Sequence, residues 1–332
     1  MALTQAQKAL VERAKAAGSG ILGTGLSDDD GVFLISVIMH DLGLSNEFPE
    51  IRDITPSFFE SVETNHSYTT GLEFEALIEK LFVLQPDADT YFMCLATLYK
   101  SRRKYARILE NQPIPTMDQV GPRALLQYGQ MSSDVLAGWI LWRKWIFDID
   151  NRAGQETGYL FEPIIASAIG GVPFSARTSP VRRRNDNSKG RQVDCIRQQQ
   201  AYEIKIRVTI ASSGQGRWQE ELDFPADCRE SGYEPILLVL DPTPNPKLKE
   251  LVSAFEVEGG RAYIGEHAWA HLEKAAGDVM SQFLSKYVRA PISQVLQESS
   301  TDLPDLKLQM NMGTFSIIIN DEIIEFERKS PS

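Results

Sequence analysis

The stretch "GRQVDCIRQQQAYEIKIR", residues 190–207, decides how the chain is read. Its second half alternates: Tyr202, Ile204 and Ile206 fall on one face of a strand, and Glu203, Lys205 and Arg207 on the other. A hairpin between "RQVDCI" and "AYEIKI", turning through "RQQQ" at 197–200, sets Ile196 against Ala201, Cys195 against Tyr202 and Asp194 against Glu203. Directly opposed side chains stand about 5 Å apart at Cβ. Lys205 follows on the face of Glu203, about 7 Å along the strand.

Two carboxylates placed this way repel unless a shared proton or a cation relieves them. A divalent metal is the simplest relief, and Mg²⁺ suits the spacing because it usually takes one or two carboxylates plus substrate phosphates. Lys205 then stands beside a water activated at the cation. Together these groups supply what phosphodiester hydrolysis needs: an activated water and charge relief on the phosphate. The plain alternative is a solvated hairpin face on which Lys205 simply pairs with Glu203.

The surroundings sharpen the reading. "GQETGYLFEPIIASAIGG" has a helical pattern closed by Gly170 and Gly171. The strand candidates "VPFSAR", "RQVDCI" and "AYEIKIRVTI" follow, and "RWQEELDFPADCRES" reads as part helix. "YEPILLVLDPTP" is a short apolar run bounded by prolines, as expected of a strand buried on both faces. "PKLKELVSAFEVEG", the short strand "RAYIG" and a helix through "AWAHLEKAAGDVMSQFLSKYV" complete the unit. Acid-x-Lys also occurs at Asp305–Lys307 and Glu327–Lys329, but only the 194–205 match lies within an order of helix, three strands, helix and strand.

That combination resembles the PD-(D/E)xK nuclease superfamily across residues 154 to about 240, and within it a type II restriction endonuclease of the ApaLI-like group. The resemblance implies an α/β (α+β) restriction-endonuclease-like core, a mixed β-sheet flanked by helices. It assigns the two strand acids to Asp194 and Glu203, the lysine to Lys205, and a helix glutamate that assists the metal to Glu162 in "GYLFE". Val193 stands where the family's proline precedes the first aspartate. Implied with the family are Mg²⁺-dependent cleavage of double-stranded DNA at a short palindrome leaving 5′-phosphate ends, a homodimer matching the DNA two-fold, and a companion DNA methyltransferase. Two rivals stay open: a non-catalytic DNA-binding or scaffold protein on the same fold, and a repair nuclease that reads DNA structure.

The net charge of −11 argues against a general nucleic-acid coat protein. One stretch departs from it: "ARTSPVRRRNDNSKGR" sets Arg177, Arg182, Arg183, Arg184, Lys189 and Arg191 against the single acid Asp186. Those six cations are expected to meet DNA phosphates, with affinity falling as salt rises. Gln215 and Arg217, in "SSGQGRW", have side chains suited to reading adenine and guanine edges.

Other chemistries find little support. Cys94, Cys195 and Cys228 lack CxxC spacing, so neither a disulfide framework nor a zinc site is expected. His267 and His271 stand four apart but without an HExxH frame, and there is no GxSxG elbow or GxxxxGK loop. "GILGTG" has no preceding strand to make it a dinucleotide loop. No apolar run approaches the roughly 20 residues of a membrane span, and the first helix is no secretory signal, so with these cysteines a reducing cytoplasm is expected, a prokaryotic one as the resemblance implies.

The remaining organisation follows from periodicity. Residues 1–150 read as a mainly helical region for recognition or dimerisation, with Ser27 capping a helix three residues before Asp30, and Thr55 and Pro56 opening another. Trp139, Trp142 and Trp145 recur every third residue and are expected to face a core. The catalytic core is placed at 151–290, a linker at 291–303, and a C-terminal β-hairpin or meander turning at Asn320-Asp321 at 304–332.

Overall fold

The computed structural model describes residues 3–17, 23–52, 58–59, 71–207, 215–244, 246–298, 302–311 and 313–328. The N-terminal helices are α1 (Gln5–Lys15), α2 (Asp28–Asp41), α3 (Phe74–Leu84), α4 (Ala88–Asn111) and the single turn α5 (Met117–Val120). The Ser27–Asp30 reading holds as a capping box, each side chain accepting the other residue's backbone N–H. "PRALLQ" forms a 3-10 helix, and the start expected at Thr55 and Pro56 lies outside the described residues, as does the first half of "GILGTG".

The two helices read on either side of residue 150 are one. α6 (Ser133–Ala168) runs 36 residues through the expected domain boundary. The charged "DIDNRAGQE" suggests a break in sequence, but its charges are met within and beside the helix, Asp148 by Lys144 and Glu156 by Lys104 of α4. Gly170, with φ +70°, ends the helix after Ile169. Gly171 then lets the chain pass close to its neighbour, because a Cβ there would sit 2.1 Å from Cys195 Sγ.

The sheet that follows has the order β1 (Val172–Phe174), β4 (Val193–Arg197), β5 (Gln200–Lys205), β6 (Glu234–Val239), β7 (Arg261–Ile264). Its first two pairings are antiparallel and the last two parallel, so the sheet is mixed, as expected. Helices α7 (Gln215–Glu230) and α8 (Pro246–Val257) make the crossovers. They cover one face, burying Ala201, Leu237 and Val239 with Phe224 and Phe255. On the other face Tyr202, Ile204, Ile236 and Leu238 join a core continuous with α2, α4, α6 and α9 (Glu266–Leu284). β6 is thus buried on both faces. The N-terminal helices and the sheet share one core, which is why α6 needs no linker between them.

Three further segments complete the fold. The basic stretch is a folded hairpin of β2 (Arg182–Arg183) and β3 (Asp186–Gly190), fastened to α7 by ion pairs. Residues 291–303 open in α10 (Ala290–Gln297), which continues from α9 through a π-helical turn. The C-terminal segment is a three-stranded meander, β8 (Leu306–Asn311), β9 (Thr314–Ile319) and β10 (Glu322–Glu327), and it turns at Asn320-Asp321 as read. Phe315 on β9 is fully buried, its ring centroid 4.6 Å from Trp145 and 6.1 Å from Trp142. Trp145 therefore faces a core, whereas Trp139 stays half exposed.

Candidate active site

The hairpin forms in the register read from the sequence: Cys195 pairs with Tyr202 and Ile196 with Ala201. The turn is tighter than "RQQQ", because Arg197 and Gln200 pair with each other, leaving Gln198 and Gln199 at the tip with Gln198 at φ 56°. Beyond Cys195 the ladder gives way to a side-chain bond, as Asp194 Oδ2 accepts the backbone N–H of Ile204 at 2.9 Å. This bond fixes the carboxyl of Asp194 beside the strand that carries Glu203 and Lys205.

These residues line one cavity of about 320 Å³. Asp194 is buried on its floor, and Glu162 reaches in from α6. Lys205 donates to Glu203 Oε1 at 3.0 Å and lies 3.3 Å from Glu221 Oε2 on α7. The Lys205 and Glu203 side chains are only 16% and 18% exposed. Charge is therefore concentrated where water is scarce.

The electrostatics follow from that crowding. Burial holds the Asp194 carboxyl well above the usual carboxylate range; Glu203 and Glu162 push it the same way, while the Ile204 N–H and Lys205 pull it back. Burial alone would lower the pKa of Lys205, but Glu203 and Glu221 raise it above the ordinary lysine value. The site thus holds a firmly charged ammonium and an excess of carboxylates.

The donor set fits a hard divalent cation. All its ligand atoms are carboxylate oxygens, and the like-charge strain on Asp194 is what such a cation relieves. Among the described residues no three of His, Cys, Asp and Glu are gathered into a ready cage. An ion held by Asp194 and Glu203 with Glu162 nearby would complete its coordination with water and phosphate oxygens, as Mg²⁺ commonly does.

The expected phosphate contacts separate into two groups. Arg177 and Arg182 are exposed, and no ion pair engages them among the described residues. Lys189 is exposed and paired with Asp186 in its own hairpin. The other three are drawn onto α7: Arg183 makes a two-point bond to Glu220, Arg184 lies 3.6 Å from Asp223, and Arg191 pairs with Asp227 at 3.3 Å. Arg191 differs from the rest: it is 6% exposed and its guanidinium faces Asp227, while the residue lines the cavity that holds Asp194, Glu203 and Lys205. Gln215 and Arg217 fall at the start of α7, where the side chains lie outside the described residues.

Sequence reading missed Glu221 and Glu220. No local pattern marks them, because their role arises only when α7 packs beside β5 and β2. Of the histidine pair, His271 stacks on Tyr263 and shares a hydrogen bond with Tyr202 at 3.2 Å. All three cysteines are buried and free. No described helix is long and apolar enough to cross a membrane.

A mixed five-stranded sheet between helical layers, with its acids and lysine at a central hairpin, is restriction-endonuclease-like. The family model for ApaLI-like restriction endonucleases matches residues 54–289. The chain is 48% identical over 279 residues to the type II restriction enzyme ApaLI of Acetobacter pasteurianus, an alignment covering 79% of this chain and 74% of that protein. No solved structure matches it. The chain belongs to the ApaLI-like restriction endonuclease family, and its activity is that of an endodeoxyribonuclease of type II.

Proposed function

We propose that the chain hydrolyses phosphodiester bonds of double-stranded DNA at a short palindromic sequence, using Mg²⁺ and leaving 5′-phosphate ends. The observation that carries this is the buried carboxyl of Asp194, crowded by Glu203 and Glu162 in the cavity that Lys205 also enters. Asp194 and Glu203 hold the cation, and Glu162 assists from α6. When bound, Mg²⁺ supplies an activated water and charge relief on the scissile phosphate. Lys205 faces the same cavity with its ammonium intact, orients the attacking water and offsets charge that grows on the phosphate. The Ile204 N–H keeps the Asp194 carboxyl aimed into the cavity.

Arg177, Arg182, Arg184 and Lys189 give the hairpin beside the cavity its phosphate contacts, with Arg183 buttressed by Glu220. Gln215 and Arg217 read base edges. The working form is a homodimer, in a prokaryotic cytoplasm where a cognate methyltransferase protects the host DNA.

The test is incubation with long unmethylated duplex DNA, with Mg²⁺ and with EDTA, beside Lys205→Ala. Discrete Mg²⁺-dependent fragments that vanish in the variant support the reading. Fragments made equally well by the variant, or without metal, overturn the assignment of this site.

A further inference from the structure

Lys205 does not rest on Glu203 alone. Glu203 Oε1 lies 3.0 Å from its Nζ, and Glu221 Oε2 lies 3.3 Å away. These two carboxylates differ in standing. Glu203 shares a strand with Lys205 and crowds Asp194, so a cation held by the two acids would compete with the ammonium for the Glu203 carboxylate. Glu221 is carried by α7, and that helix is anchored independently of any cation. Phe224 and Cys228, on the turns that follow, are buried with Leu237 and Val239 of β6 and Phe255 of α8.

We propose that Glu221 is the positioning residue for Lys205, holding the ammonium across the cavity when Glu203 gives its oxygens to the cation. This rests on the reading of Asp194, Glu203 and Lys205 given above. A lysine side chain has four rotatable bonds and a single compact charge, so it keeps a fixed direction only while an anion holds it. Without Glu221 the ion pair left to it among the described residues is with Glu203, the residue a cation would claim. The ammonium then leaves the line of the attacking water, and a misplacement of about 1 Å costs roughly 100-fold in rate. Groups that orient a metal site from behind its ligands carry about 10–100-fold in activity. The second and last turns of α7 are tied by Arg183–Glu220 to β2 and by Arg191–Asp227 to the residue that follows β3, which brackets Glu221 between two ion pairs. Its position is thereby set by the tertiary structure and not by the substrate.

The experiment compares wild type, Glu221→Ala, Glu221→Gln and Lys205→Ala as full chains on long unmethylated duplex DNA. It reads the saturating rate, the KM for DNA, the Mg²⁺ concentration at half-maximal rate and the melting temperature. Glu221→Ala is expected to lose about 10–100-fold in saturating rate, with KM and Mg²⁺ requirement within about two-fold of wild type. Glu221→Gln keeps an acceptor oxygen at the same reach and recovers most of that loss. A wild-type rate in Glu221→Ala overturns the proposal. So does a raised Mg²⁺ requirement, which would make Glu221 a cation ligand, and so does a rate loss that only follows the melting temperature. If Glu221→Ala does not fold, Glu221→Ser replaces it with the same expectations. Lys205→Ala separates the two levels: full cleavage by that variant sinks the site itself, whereas an inactive Lys205→Ala beside an unaffected Glu221→Ala sinks only the role of Glu221.

Discussion

Replacing Arg191 by methionine separates two physical roles that the sequence alone could not distinguish. Arg191 and Asp227 side chains are 7% and 3% exposed and 3.3 Å apart, and the guanidinium lies 5.8 Å from the Phe224 ring centroid. Asp227 Oδ1 accepts the backbone N–H of Arg184, while Oδ2 faces Arg191. Methionine fills much of the arginine stem but leaves Oδ2 buried without its cation. Breaking a buried pair from one side costs about 3–5 kcal/mol. At about 2 °C per kcal/mol for a chain of this size, the melting temperature should fall by some 6–10 °C. Arg191→Met/Asp227→Asn should recover part of the loss, because the second change removes the stranded charge yet keeps an acceptor for Arg184. The assays are thermal unfolding and DNA affinity across a salt series. A variant with wild-type stability and a shallower salt dependence would refute the reasoning, because it would put Arg191 on a phosphate.

Other perturbations test other parts of the molecule. Lys205→Ala should reduce the cleavage rate by at least about 10²–10³-fold while DNA binding persists, measured by single-turnover cleavage and a binding titration. Asp30 supplies the pH test. Burial alone would raise its pKa, but the Ser27 backbone and hydroxyl, Arg103 and Tyr99 bring it below the ordinary value. A carboxyl lowered by folding adds stability above its unfolded value, near 3.9, and that stability is lost as pH falls through the folded value. Asp30→Asn should therefore melt below wild type at neutral pH by the equivalent of about 1–3 kcal/mol, with the gap closing in acid. Phe315→Ala should cost about 3–5 kcal/mol by emptying the space against Trp145, and limited proteolysis should then release the C-terminal meander early. Arg182→Gln should weaken DNA binding evenly across sequences and lower the salt slope by about one.

The sequence by itself determined the hairpin, its register and the sharing of one face by Glu203 and Lys205. A period of two and a turn at "RQQQ" fix these locally, and a one-residue slip would have carried Tyr202 and Ile204 to the face that holds Glu203 and Lys205. It likewise determined the capped helix at Ser27, the end of α6 at Gly170-Gly171, and β6 as a strand with no polar face. Each of these depends on residues within a few positions of one another. The resemblance was legible for the same reason, because Asp194, Glu203 and Lys205 lie on adjacent strands of one short hairpin.

Tertiary structure alone decided which cations remain at the surface and which acids approach Lys205. Asp227 lies 36 positions from Arg191, and Glu221 lies 16 from Lys205. Neither spacing marks a contact until α7 folds back across the sheet. The same holds for residue 150: a polar stretch reads as a boundary, but α6 crosses it because its apolar residues at each end find separate partners, Ile140 beside Val120 and Leu136, and Ile164 and Ile165 in the main core. Charge and hydropathy are local properties of a chain. Burial and pairing depend on what the rest of the chain brings alongside, and they turned a basic run into a hairpin pinned by acids.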